Sequence, residues 1–243
     1  MAAVIVTYVR QRFGLAQVSV ALFLLLFANG ARWTWQSAHW APLYAMALVL
    51  WFRLFDDLAS RDIDSGKDRI HTRPEAQSAL RATLGVLGAL LLALTALRDA
   101  RAGLLLGALM LVCVAAYRHL FDRGRWRTVL PLTKYPVLAL LLMLPVEPIA
   151  VERVLACLAL LPMFLLFESL DDDEFRVPGI VAALLLVAAH GLLAPALGWV
   201  IPCVGAAIAL TVGTLGHRWE IPALPYAMML YFLTLRLVAI DRV

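Results

Sequence analysis

The sequence predicts an all-α, polytopic membrane protein. The expected architecture is one domain over 1–243, a bundle of nine transmembrane helices. Three observations carry this. The chain is 63% hydrophobic and 16% charged, with a mean hydropathy of +0.85, whereas soluble domains run about 45–50% apolar and about 25% charged. Apolar runs close to the roughly 20 residues needed to cross a bilayer recur along its whole length. No stretch shows the short alternating polarity of barrel strands.

Taken in order, the expected spans are 14–31, 41–59, 77–97, 101–118, 127–145, 150–170, 178–195, 197–215 and 221–240. Arg10 and Arg12 precede the first span, and Ala28-Asn29-Gly30 leads straight into more apolar chain, so no cleaved signal segment is expected. The second span ends in RLFDDLASRDIDSGKDRIHTRP, residues 53–74. The fifth contains Lys134, the sixth ends in FESLDDDE, and the seventh carries His190. Cys113, Cys157 and Cys203 each fall inside an apolar run without metal or redox spacing, and read as small core residues. Most connections are short, which makes successive helices antiparallel neighbours.

Basic residues set the expected orientation. With the N-terminus cytoplasmic, fourteen of the 21 Lys and Arg fall in cytoplasmic segments and six on the opposite side, Lys134 lying within a span. That asymmetry is the positive-inside pattern. It places both acidic segments on the cytoplasmic side of an integral, multi-pass membrane protein.

Those segments hold ten of the seventeen acids. The first contains Asp56, Asp57, Asp62, Asp64 and Asp68, and the second contains Glu168, Asp171, Asp172, Asp173 and Glu174. Asp56, Ser60 and Asp64 are four apart and would share a face of a continuing helix, as would Glu168, Asp171 and Asp172. Ser65-Gly66 is expected to break the first helix, leaving Asp68 on the loop. Carboxylates at a helix C-terminus oppose its dipole by about 0.3–1 kcal/mol each and repel one another, so a positive partner is expected. Oxygen-rich sites suit Mg²⁺, which keeps substrate phosphates among its ligands. The plainer reading is that the acids are solvated caps on membrane helices.

Basic residues beside the acids fit a diphosphate. Lys67, Arg69 and Arg73 follow the first cluster, and Arg118, Arg123, Arg125 and Arg127 line the next cytoplasmic loop. Arginine forks bind phosphate oxygens in bidentate fashion, although most loop arginines serve topology alone. Lys134 lies one or two turns inside a span, where a charge is costly and usually lines a polar cavity; snorkelling is its alternative. His71 could touch phosphate, and His190 reads as a helix-packing residue. Aromatics such as Trp51, Phe55, Tyr117, Tyr135 and Phe164 could line an isoprenoid pocket, with ordinary packing the commoner role.

The pattern resembles the UbiA superfamily of intramembrane prenyltransferases, whose nine-helix bundles carry one aspartate-rich motif after helix two and another after helix six. LFDDLASRDID with the trailing DRIHTRP resembles the first motif, and FESLDDDE the second. Span count and motif position extend over the full chain. Ser60 stands where the first motif usually has its middle acid, Arg73 lies two residues farther on than usual, and the second motif begins with Glu168. The resemblance implies a central cavity open to the cytoplasmic side, Mg²⁺-dependent ionisation of an isoprenoid diphosphate and transfer of the prenyl group to an acceptor. Asp56, Asp64, Glu168 and Asp172 would hold metal, with Asp57, Asp68 and Asp171 as further candidate ligands. Arg73 and Lys134 would hold diphosphate, with Lys67, Arg69 and Arg123 beside them. Asp56, Asp64, Lys134, Glu168 and Asp172 are the expected catalytic set. The expected partners are an isoprenoid diphosphate, an acceptor of open chemistry and the lipid bilayer, with no nucleic acid.

A terpene cyclase of the same superfamily would use the same acids but let the substrate's own double bond attack. A transporter would place its charges near the midplane on broken helices, whereas these clusters sit at helix ends. A phosphatidyl-alcohol transferase would need a DG-x-x-AR signature, which is absent.

Overall fold

The computed structural model describes residues 2–29, 40–61, 68–120, 126–143, 151–171, 179–193 and 230–236. Among them every regular element is helical. Helix α1 (Ala2–Arg12) ends with Arg10 and Arg12 in its last turn, where cations complement the exposed carbonyls. The chain then bends by 77° into α2 (Leu15–Asn29). The bend leaves the Gly14 N–H outside both helical ladders, and the Gln17 side chain accepts it at 3.0 Å.

Helix α3 (Ala41–Ala59) starts with a proline in its first turn, where the missing N–H costs nothing, and ends at Ser60. A 3-10 turn at Ile70–Thr72 leads into α4 (Pro74–Arg98), with Pro74 at its start, Glu75 in the first turn and Arg98 in the last. Asp99 alone joins α4 to α5 (Ala100–Leu120). Its Oδ1 accepts the N–H groups of Arg101 at 2.8 Å and Ala102 at 3.3 Å, an N-cap that restarts the helix after one residue. Gly103 permits the tight hairpin, since a Cβ there would lie 2.6 Å from Ala96 Cβ.

The expected fifth and sixth spans are each two helices. Helix α6 (Trp126–Leu132) stops before α7 (Lys134–Met143), and α8 (Val151–Leu158) stops before α9 (Leu160–Asp171). Proline explains both breaks. Each is a one-residue interruption: Pro136 and Pro162 cannot donate to the Leu132 and Leu158 carbonyls four residues back, at the ends of α6 and α8, while Ala159 and Met163 still donate to the Leu155 and Ala159 carbonyls at 3.1 and 3.3 Å. Thr133 fills one break with its N–H and hydroxyl, both on the Leu130 carbonyl at 3.3 and 2.8 Å. Helix α10 (Gly179–Leu193) follows the seventh expected span. The eighth lies outside the described residues, and the ninth is represented by helical residues 230–236.

Among the described residues α4 and α5 are long and apolar enough to cross a membrane, and the bent pair α1–α2 makes a third if it counts as one span. The outer faces of α4 and α5 are apolar and uncovered: Leu97 is 85% exposed, Leu104 77% and Leu111 72%. Faces of this kind are stable against lipid and not against water.

The chain divides into two compact units, Met1–Leu25 with Arg32–Tyr117, and Leu26–Ala31 with Arg118–Val243. In the first, α1, α3, the 3-10 turn and α4 enclose a core of Tyr8, Leu54, Ile70, Ala76 and Leu80. Trp51 lies across Gly88 of α4 and donates its indole N–H to the Leu84 carbonyl at 2.9 Å. In the second, α9 packs on α10, α8, α7 and α6, burying Leu138, Leu141, Leu160, Met163 and Phe164. Cys113 and Cys157 are buried, as expected of small core residues, while Cys203 lies outside the described residues.

Candidate functional site: the acidic helix ends

The last turn of α3 carries Asp56 and Asp57, and adjacent helix positions point about 100° apart. The two carboxylates therefore meet different elements. Asp57 is 2% exposed and faces α1. Arg12 grips it with both branches of its fork, Nε to Oδ2 at 2.8 Å and Nη2 to Oδ1 at 2.6 Å. The Tyr8 hydroxyl donates to Oδ2 at 3.0 Å, and Arg53, one turn back on α3, brings Nε to 3.4 Å from Oδ1. Burial, then the Asp57 carboxylate, push the Tyr8 phenol above its ordinary value, so it stays a neutral donor. A fork-to-carboxylate pair this buried is strongly self-consistent; removing one partner of such a pair costs about 3–5 kcal/mol.

Asp56 turns towards α5, where the Tyr117 hydroxyl donates to its Oδ1. An aromatic row fixes that hydroxyl: Trp51 stacks on Phe55 at 5.6 Å, and Phe55 meets the Tyr117 ring edge-on at 4.9 Å. The i, i+4 spacing of Trp51 and Phe55 puts both on the face that meets α4 and α5. Two carboxylates adjacent in sequence thus serve two separate contacts.

The chain after α3 is also tied back. Gln11 of α1 accepts the Ile70 N–H at 3.0 Å, and Arg61 donates to Gln77 Oε1 of α4 at 2.8 Å. His71 is fully buried in the 3-10 turn, within the electrostatic reach of Asp57. Arg69 begins that turn and is half-buried. Asp68 and Arg73 pair at 2.8 Å with Asp68 85% exposed, a contact that solvent screens strongly. Asp62, Asp64 and Lys67 lie outside the described residues.

In the second unit the backbone places Glu168 and Asp171 at the end of α9. Asp172 and Arg123 lie outside the described residues. Lys134, the first residue of α7, is 3% exposed, with its ammonium 5.8 Å from the Tyr135 ring centre. Tyr135 stacks on Phe164 of α9 at 4.0 Å. Phe164 lies one helical turn before Glu168 in sequence, so the stack ties the start of α7 to the helix that ends in the second acidic segment.

Among the described residues no three of His, Cys, Asp and Glu group closely enough to hold a metal ion. In the first segment Asp57 is held by Arg12, while Asp56 turns to Tyr117 of α5. Asp56 is the described first-segment acid whose half-buried place at a helix end suits an oxygen ligand.

Arg12, Tyr8 and Gln11 were not legible as site residues. Arg12 reads as a topology charge, and no local spacing connects it to an aspartate 45 positions away. Tyr117 was legible only as an aromatic, without its partner. No family model, curated protein or solved structure matches this chain.

Proposed function

We propose that this chain is an intramembrane prenyltransferase of the UbiA type, Mg²⁺-dependent, taking an isoprenoid diphosphate and a lipid-like or aromatic acceptor. The observation that carries the reading is the matched pair of acidic helix ends. Helix α3 ends in Asp56 and Asp57 and α9 in Glu168 and Asp171, each without a basic residue in its last turn. The exposed apolar faces of α4 and α5 support a bilayer setting. In this reading the bundle has nine spans, with the N-terminus and both acidic segments cytoplasmic.

Asp56, Asp64, Glu168 and Asp172 would hold the metal, and Asp57, engaged by Arg12, does not join them. Bound Mg²⁺ supplies positive charge against the leaving diphosphate. The chain's own groups do the rest. Lys134, already desolvated, offers a charge whose attraction for phosphate is strong because water is excluded around it. Arg73 exchanges Asp68 for a diphosphate oxygen at little cost, since that pair is exposed; Lys67, Arg69 and Arg123 add to the basic rim. Apolar walls such as the Tyr135–Phe164 stack keep water from the allylic cation.

The test is product analysis by mass spectrometry. Purified protein with Mg²⁺ is given a ladder of isoprenoid diphosphates, with and without aromatic acceptors, beside an Asp64→Ala/Asp172→Ala control. Prenylated product requiring metal and acceptor is the expected result. A hydrocarbon or terpene alcohol formed without acceptor would replace the transferase with a cyclase. Failure to bind or consume any diphosphate would end the enzyme reading and favour an ion-binding transporter.

A further inference from the structure

Asp57 is a buried group that the proposed chemistry does not use. Its position within an acidic segment at a helix mouth would suit a cation ligand, yet both its oxygens are held by the N-terminal helix: Arg12 takes Oδ1 and Oδ2, and Tyr8 adds a third donor. The Arg12 and Asp57 side chains are 13% and 3% exposed, so the pair is sealed. The same helix also reaches beyond α3, where Gln11 accepts the Ile70 N–H. Its apolar side meets Leu54, Ile70 and Leu80 through Tyr8, Val4 and Val9. Helix α1 therefore touches both ends of the loop that carries the first acidic segment, the end of α3 before it and the 3-10 turn after it.

We propose that α1 is a strap that positions this loop, with Arg12 as the resident counter-ion of Asp57, withdrawing that carboxylate from cation binding. The 77° bend between α1 and α2 fits a helix that leaves the line of α2 to lie against the end of α3 and the 3-10 turn. Tying both flanks to one helix holds the end of α3, with Asp56, and the start of α4, with Arg73, at a set separation for the ligand they serve. This rests on the proposed function for what the loop binds, but the strap itself is a property of the fold. A guanidinium is a suitable permanent occupant because it remains charged at any working pH and matches both carboxylate oxygens.

The experiment is hydrogen–deuterium exchange of the full chain in lipid nanodiscs, with Mn²⁺ titration by electron paramagnetic resonance on the same samples. Arg12→Gln and Asp57→Asn should each speed exchange of residues 2–12 and of the Ile70 amide at least tenfold, with the middle of α4 unchanged. The charge swap Arg12→Asp/Asp57→Arg should recover part of that protection, which a general loss of folding would not allow. Asp57→Asn should keep Mn²⁺ affinity within about threefold of wild type, while Asp56→Asn should weaken it at least tenfold. Unchanged exchange of α1 in both single variants overturns the strap. Loss of Mn²⁺ with Asp57→Asn overturns the withdrawal of that carboxylate. A wild-type chain that binds no Mn²⁺ sinks the metal-dependent function and the cation-related part of the proposal, while slowed exchange dependent on Arg12 still establishes the strap.

Discussion

Gly88→Ala tests how α3 and α4 fit together. A Cβ at residue 88 would lie 2.6 Å from Trp51 Nε1 and 3.3 Å from Cε2, whereas comfortable carbon contacts are about 3.5–4.0 Å. The indole has little room to give. It is buried, stacked against Phe55 and set edge-on to Phe52 at 4.6 Å. Moving it lengthens the 2.9 Å bond from Nε1 to the Leu84 carbonyl. Overpacking costs about 1–3 kcal/mol and the lost hydrogen bond about 0.5–1.5 kcal/mol. Alanine's better helix propensity returns about 1 kcal/mol, which leaves a net loss of about 2 kcal/mol. For a chain of this size that lowers the Tm by about 4–8 °C. Near-UV circular dichroism during thermal unfolding in one detergent reads both the transition and the indole environment. Gly85→Ala, one turn earlier with nothing within 4 Å of its Cβ, should leave the Tm unchanged or slightly higher. Equal Tm values for the two variants would refute the packing argument.

Other outcomes follow from the candidate site. Lys134→Met keeps the volume and removes the buried charge, so the KM for isoprenoid diphosphate should rise at least tenfold while the Tm holds or increases; an unchanged KM removes Lys134 from the diphosphate site. Tyr117→Phe deletes the donor to Asp56 and should lower stability by about 1 kcal/mol. It should also raise the Mg²⁺ concentration for half-maximal activity several-fold, and identical Mg²⁺ dependence would separate Asp56 from the metal. Asp172→Asn should lower kcat by about 10²-fold, the scale of losing one electrostatic contact to developing charge, measured by radiolabelled prenyl transfer in nanodiscs. Chelation should abolish turnover and added Mg²⁺ restore it, whereas activity in excess chelator would exclude a metal-dependent mechanism.

Helical content and the presence of helices long and apolar enough to cross a membrane were legible because they depend on composition and local spacing. A helix expected at 41–59 coincides with α3, and the expected spans 77–97 and 101–118 fall within α4 and α5, the two long enough and apolar enough to cross a membrane, since Pro74, Asp99 and the apolar runs act over a few residues. Apolarity alone reads across the one-residue interruptions at Thr133 and Ala159, where the N–H groups that Pro136 and Pro162 lack decide the backbone. Acidic residues at helix ends were equally visible as a pattern. Their individual roles were not. Asp56 and Asp57 are the same residue type at adjacent positions, and nothing local distinguishes them. Only the tertiary fold does so, because the 100° step between neighbours on a helix hands one carboxylate to Tyr117 of α5 and the other to Arg12 of α1. Composition and periodicity thus determined a helical chain with helices long and apolar enough to cross a membrane and with two acidic helix ends. Packing decided which carboxylate is sealed in an ion pair and which lies half-buried against α5, because that depends on partners tens of residues away in sequence.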